Sequence, residues 1–241
     1  MYHNYKKSLF GFTLAEVLIT LGIIGVVAAM TMPSLIANHK EKEAVTRLKK
    51  VYSTLDNAYM LARNEHTDVL NWFEDYSTLK NSEIFFNNLK PYLNIAKECG
   101  REGGCLTPGS VKTLDGRKYG DYNLNLQEYR FVLADGTQVV IMLSNPVCRG
   151  DVGCGNIKVD IDGSRGSYTM GKDFFIFNIL PNGIYPAGAQ NDTTYPFNNF
   201  CNRTSARDAN GRSCAAWVIY NENMDYLHCD DLNWDTKTKC K

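Results

Sequence analysis

From Val17 to Asn38 the chain carries no charged residue, and Glu16 stands at the mouth of this run. The stretch from Phe12 to Pro33 is long enough, at about 1.5 Å per residue, to cross a bilayer core of roughly 30 Å as a helix. Such a segment must be covered by lipid or by other helices. Lys6 and Lys7 precede it, and their charge predicts that a short leader stays in the cytoplasm while the remainder passes outward. A cleavable secretory signal or a plain signal anchor is the simplest alternative. Against it, the run closes on VVAAMTMP without a clear small-x-small cleavage site, and a carboxylate inside it is costly without a purpose.

The rest of the chain reads as an exported domain. Its 26 basic and 26 acidic residues cancel, with no long run of one sign, so nucleic acid is not expected as a partner. All eight cysteines (Cys99, Cys105, Cys148, Cys154, Cys201, Cys214, Cys229, Cys240) lie beyond residue 98, on the far side of the presumed anchor. An even count confined to that side predicts disulfides formed in an oxidising compartment. No C-x-x-C pair occurs and the four histidines are not spaced with cysteines as ligand sets, which disfavours zinc. Pairing stays open on sequence; neighbours along the chain are the simplest arrangement.

The segment KKSLFGFTLAEVLITLGIIGVVAAMTMPSLI closely resembles the N-terminus of the type IV pilin and type II secretion pseudopilin superfamily. The resemblance implies cleavage by a prepilin peptidase between Gly11 and Phe12 and N-methylation of Phe12. Glu16 then becomes the fifth residue of the mature chain, where the family places a glutamate, and Pro33 falls where many members have a proline. It further implies a filament subunit that waits in the bacterial inner membrane among lipid. It meets an assembly platform there and joins copies of itself or related pilins in a periplasmic or cell-surface filament. Physics gives Glu16 a role in that setting. A buried carboxylate costs on the order of 2.5 to 3.5 kcal/mol on insertion scales, and the amine freed at Phe12 of a neighbouring subunit would offset it and fix register. Gly22 and Gly25 permit close helix approach, and Pro33 removes a backbone donor, so a loosened or kinked helix is expected near Gly25 to Pro33.

After Pro33 the residues Leu48, Val51, Tyr52, Leu55, Tyr59 and Ala62 recur at helical spacing, with basic residues between them. We expect the helix to continue to about Glu65 with this stripe packed on a head domain. A short helix is predicted around Ser82 to Leu89. The run YRFVLADGTQVVIML reads as a hairpin turning at Asp135-Gly136, and IKVDI, FFIFNIL and AAWVIY as further strands. The expected class is α+β: a long N-terminal helix, half membrane-spanning and half amphipathic, on an antiparallel sheet with disulfide-rich loops. The expected divisions are a leader at 1–11, a membrane segment at 12–33, the amphipathic continuation at 34–66 and the head at 67–241.

VDIDGSRGSYTMGKDFFIFNILPNGIYPAG is similar, more loosely, to the C-terminal part of many pseudopilin-like proteins. Some major pseudopilins bind calcium in a C-terminal loop, and the resemblance makes Asp160, Asp162 and Asp173 candidate ligands. The spacing is not that of an EF-hand, and a plain turn at Asp162-Gly163 accounts for the same residues, so no cofactor is expected. No nucleophile elbow, P-loop, dinucleotide fingerprint or H-E-x-x-H occurs, and no enzymatic activity is expected. Two other functions share these features. One is a minor tip pseudopilin binding a secreted cargo, an adhesion target or DNA. The other is a periplasmic binding domain merely tethered by its helix.

Overall fold

Leu14–His66 form one helix of 53 residues, α1, unbroken through Gly22, Gly25 and Pro33. The computed structural model describes residues 11, 13–73, 80–102, 106, 109–121, 127–149, 152–163 and 168–240. The chain divides into two compact units, Met1–Glu41 and Lys42–Lys241. In the first, the large apolar side chains of α1 from Leu14 to Ile36 are exposed. Its hydroxyls are satisfied within the helix. Thr20 donates to the Glu16 carbonyl at 2.9 Å, Thr31 to Val27 at 2.9 Å and Ser34 to Thr31 at 3.0 Å. Back-bonding of this kind lets a hydroxyl sit in an apolar run without a stranded donor. Among the described residues, α1 is the one helix long and apolar enough to cross a membrane.

In the second unit the character of α1 changes. Val45, Leu48, Val51, Leu55, Ala58, Tyr59 and Ala62 are buried, a stripe at three- and four-residue spacing. The stripe joins Phe85 and Phe86 of α2 (Asn81–Leu89) in one core with an antiparallel sheet. The sheet contains β1 (Ile95–Gly100), β4 (Tyr129–Leu133), β5 (Gln138–Leu143), β6 (Gly155–Asp160), β7 (Phe174–Leu180) and β8 (Gly183–Pro186). Their spatial order is β1-β4-β5-β6-β7-β8; β2 (Ser110–Lys112) and β3 (Lys118–Asp121) form a separate ribbon. The α+β class expected from sequence is therefore observed, and α2 falls where the short helix was expected.

Alternation along the strands sorts the sheet into two faces. Val139, Ile141, Ile157, Val159, Phe175 and Phe177 belong to the core that holds α1. Val140, Phe174 and Ile176 point the other way and pack with Val111, Tyr168 and Met170. The register Arg130↔Val140↔Lys158↔Ile176 runs across four strands on that second face. The β4–β5 turn sits at the predicted Asp135-Gly136, where Gly136 has φ 88° and the Asp135 carboxylate accepts the Thr137 N–H at 3.1 Å. The positive φ is what glycine supplies without steric cost.

One sequence expectation fails here. AAWVIY is not a strand but the helix α4 (Ala215–Asn221), which follows the short α3 (Phe197–Phe200). A six-residue apolar run does not distinguish a buried strand from a buried helix turn. Cys214, immediately before it, is bonded to Cys201, and Trp217 stacks on Phe197 at 4.2 Å, contacts that a single helical turn brings to one side. Glu222, at φ 55°, then ends the helix in the left-handed region.

Disulfides join Cys148 to Cys154, Cys201 to Cys214 and Cys229 to Cys240, each pairing neighbours along the chain. Cys99 is disulfide-bonded as well. Its simplest partner, Cys105, lies outside the described residues.

Candidate functional site

The start of α1 gives Glu16 a local partner that the expected intersubunit pairing did not include. Thr13 precedes the helix, and its hydroxyl oxygen accepts the Glu16 N–H at 3.2 Å. In return Glu16 Oε2 accepts the Thr13 backbone N–H at 2.8 Å and the Thr13 hydroxyl at 2.8 Å. This reciprocal arrangement is a capping box, which satisfies otherwise stranded donors at a helix start. A carboxylate here also faces the positive end of the helix dipole. The signal was present in the sequence as Thr13-Leu14-Ala15-Glu16, a T-x-x-E spacing. Both hydrogen bonds that Glu16 accepts from Thr13 fall on the one oxygen, Oε2.

The neighbouring positions fit close contact. A Cβ built at Gly22 or Gly25 would meet nothing within 4 Å, so these positions leave a smooth exposed surface on α1. Pro33 lies inside the helix and its missing N–H leaves the Ala29 carbonyl without that intrahelical donor. Gly11 is exposed, whereas Phe12, the expected first residue of a processed chain, lies outside the described residues.

In the acidic loop, where a plain turn was expected and calcium was the lesser alternative, the aspartates meet backbone donors. Asp160 Oδ1 accepts the Asp162 N–H at 3.1 Å, and Asp173 accepts the Thr169 N–H. Asp160 Oδ2 is buried without a hydrogen-bond partner. Among the described residues no group of three or more His, Cys, Asp or Glu is placed to hold a metal ion. Asp160, Asp162 and Asp173 are not grouped as a metal-ligand set among the described residues. Two of its carboxyls instead face the protein interior and turn to backbone donors.

Burial, with added repulsion from Asp173 and Asp162, pushes the Asp160 carboxyl up to about 7. Burial does the same to Asp173, also to about 7, with Asp162 adding repulsion and Lys172 a smaller opposing attraction. The unfolded chain ionises such groups near 3.9, so between about pH 4 and 7 it binds fewer protons than the folded chain. Stability from this pair is thus fully present below about pH 4 and falls as pH rises to 7. Glu98 and Asp135, whose ionised forms are stabilised by Lys90 and Lys50, act in the opposite sense and mainly below that window. Tm should fall across pH 4 to 7, and Asp160→Asn should flatten that slope. An unchanged slope in the variant would show that Asp160 is ionised throughout.

The disulfides and aromatics at the C-terminal end serve the core. Trp217 and Tyr226 are buried, and Tyr226 donates to the Gly171 carbonyl at 2.7 Å. Tyr220 is exposed and Trp234 packs at the core's edge.

Comparison with known proteins adds one match. A family of unknown function, DUF6613, matches residues 34–105, which cover the second half of α1 and continue through β1. No curated protein and no solved structure matches the chain.

Proposed function

We propose that this chain is a structural subunit, a pilin or pseudopilin, of a type IV pilus-like or type II secretion filament. A prepilin peptidase cuts it after Gly11, Phe12 is methylated, and the subunit waits in the inner membrane until the assembly platform adds it to the filament. It is the substrate of an enzyme and carries no chemistry of its own. The observation that supports this reading is the start of α1: an exposed apolar helix whose first turn holds a carboxylate directly after Gly11.

Thr13 occupies Glu16 Oε2, and the cationic amine of a neighbouring subunit's Phe12 would take Oε1. The local cap lowers the cost of keeping a carboxylate in lipid before assembly, and the second oxygen then gives register during assembly. Polymerisation follows from covering the apolar faces of adjacent helices with one another, and Gly22 and Gly25 let those helices approach closely.

Glu16→Ala tests the role directly. The variant should insert and be processed normally, while sheared-filament yield falls at least tenfold relative to the unaltered chain. Undiminished yield would remove Glu16 from assembly. Glu16→Gln keeps a hydrogen-bond acceptor for Thr13 but not the charge, so a matching loss assigns the defect to charge rather than to the cap.

A further inference from the structure

The C-terminal end of the head closes with a strap, residues 230–239, bracketed by the disulfide between Cys229 and Cys240. The strap seats two apolar side chains. Leu232 is buried, and the ring of Trp234 lies 5.0 Å from that of Trp217 and 5.7 Å from that of Phe197. Several of its polar ties lie at the surface. Arg203 Nε donates to Asp230 at 2.9 Å, Gln190 Nε2 to Asp235 at 2.8 Å and Asn223 Nδ2 to the Thr238 carbonyl at 3.1 Å. Exposed ion pairs such as the first add little to stability.

Two observations mark this strap as able to open. The first is access to sulfur. Cys148, Cys154, Cys201 and Cys214 are at most 2% exposed, whereas Cys229 and Cys240 are only half-buried. Thiol–disulfide exchange needs a thiolate to reach a sulfur atom, so access ranks the three bonds. The second is an unpaired donor. Trp234 Nε1 is buried without a hydrogen-bond partner among the described residues. A buried donor left unpaired costs free energy that water returns once the indole leaves its seat. The covalent bond therefore holds a closed position that the packing of Trp234 supports only at a cost. Cys99, also half-buried and disulfide-bonded, belongs to the end of β1 and lies outside the strap.

We propose that Cys229–Cys240 is a redox-active clasp, opened by an external dithiol, and that its opening releases Trp234 and the strap while Cys148–Cys154 and Cys201–Cys214 stay closed. In the first step a thiolate of the dithiol attacks one sulfur, forming a mixed disulfide and freeing the other cysteine as a thiolate. The second thiol of the reagent then closes the reagent's own disulfide. Two electrons pass to the protein, the dithiol is oxidised, and Cys229 and Cys240 end as thiols. The proposal does not rest on the filament reading, since it concerns the C-terminal end of the head.

Timed reduction of the full chain in detergent micelles tests it, with dithiothreitol as the dithiol, iodoacetamide to trap free thiols and peptide mass to locate them. Cys229 and Cys240 should be trapped at least tenfold faster than Cys148, Cys154, Cys201 and Cys214. Tryptophan emission should shift to the red in step with that trapping, as Trp234 meets water, while far-ultraviolet circular dichroism holds. Trp234→Phe, which keeps every disulfide, should lose most of the red shift and still be trapped first at Cys229 and Cys240. Release of Cys201–Cys214 at the same rate as Cys229–Cys240, opening of the clasp without a change in emission, or an undiminished shift in Trp234→Phe would overturn the proposal.

Discussion

Glu128→Ala should destabilise the head by about 3–5 kcal/mol, because it removes the carboxylate that Arg130 meets in a buried site. The side chain of Arg130 has no solvent exposure and that of Glu128 only 5%. Glu128 also holds Lys158, whose side chain is 25% exposed and can turn to water. Arg130 cannot. Its Nη1 keeps the Arg101 carbonyl at 2.8 Å, which satisfies a donor but not the charge. The paired change Glu128→Leu with Arg130→Met removes both charges together and should recover most of the loss, since an ion pair in a dry site rarely outweighs a well-packed apolar pair. Urea unfolding followed by near-ultraviolet circular dichroism measures both. A double variant no more stable than the single would mean that Arg130 stays solvated and that the trio is not an isolated buried unit.

The second large effect is expected at Trp217. It is fully buried, stacked on Phe197 at 4.2 Å with an interplanar angle of 12°, and 5.0 Å from Trp234. Its indole N–H donates to Asn223 Oδ1 at 2.9 Å. Trp217→Ala removes the largest fully buried side chain and leaves a cavity between α4 and the segments closed by Cys201–Cys214 and Cys229–Cys240. A loss of about 3–5 kcal/mol is expected. Those disulfides tie down the surrounding segments and limit how far they collapse into the space. Trp217→Phe should recover part of the loss through its ring contact with Phe197. A Tm shift of only one or two degrees in the alanine variant would mean that the disulfides alone hold this end of the head.

The parts of this architecture that are local in sequence were the parts that could be read from it. The 3.6-residue spacing of Leu48, Val51, Leu55, Tyr59 and Ala62 marks the buried side of α1 because one helix face meets one core. Cysteines 6 to 13 residues apart pair with each other because short loops close readily. Asp135-Gly136 marks its turn through a single backbone torsion. The failures have equally physical causes. The apolar run of α4 is too short for its period to declare itself, and its helical state follows from packing around Trp217. At Asp162-Gly163 a plain turn without a cofactor was expected from the sequence; that Asp160 beside it is buried is what its spacing does not encode. The contact of Lys158 with Glu128 depends on the register of β4, β5 and β6, which brings the two together from separate parts of the chain. Thr13 is the exception: its T-x-x-E spacing was legible and points to the cap that Glu16 makes.

The central claim is that this chain is a processed prepilin, and the mass of its N-terminal peptide, taken from protein purified out of its native membrane, tests it most directly. The account predicts a chain beginning at Phe12 and carrying one added methyl group on its amine. A chain that retains Met1, or one that begins beyond Ala29, would contradict it.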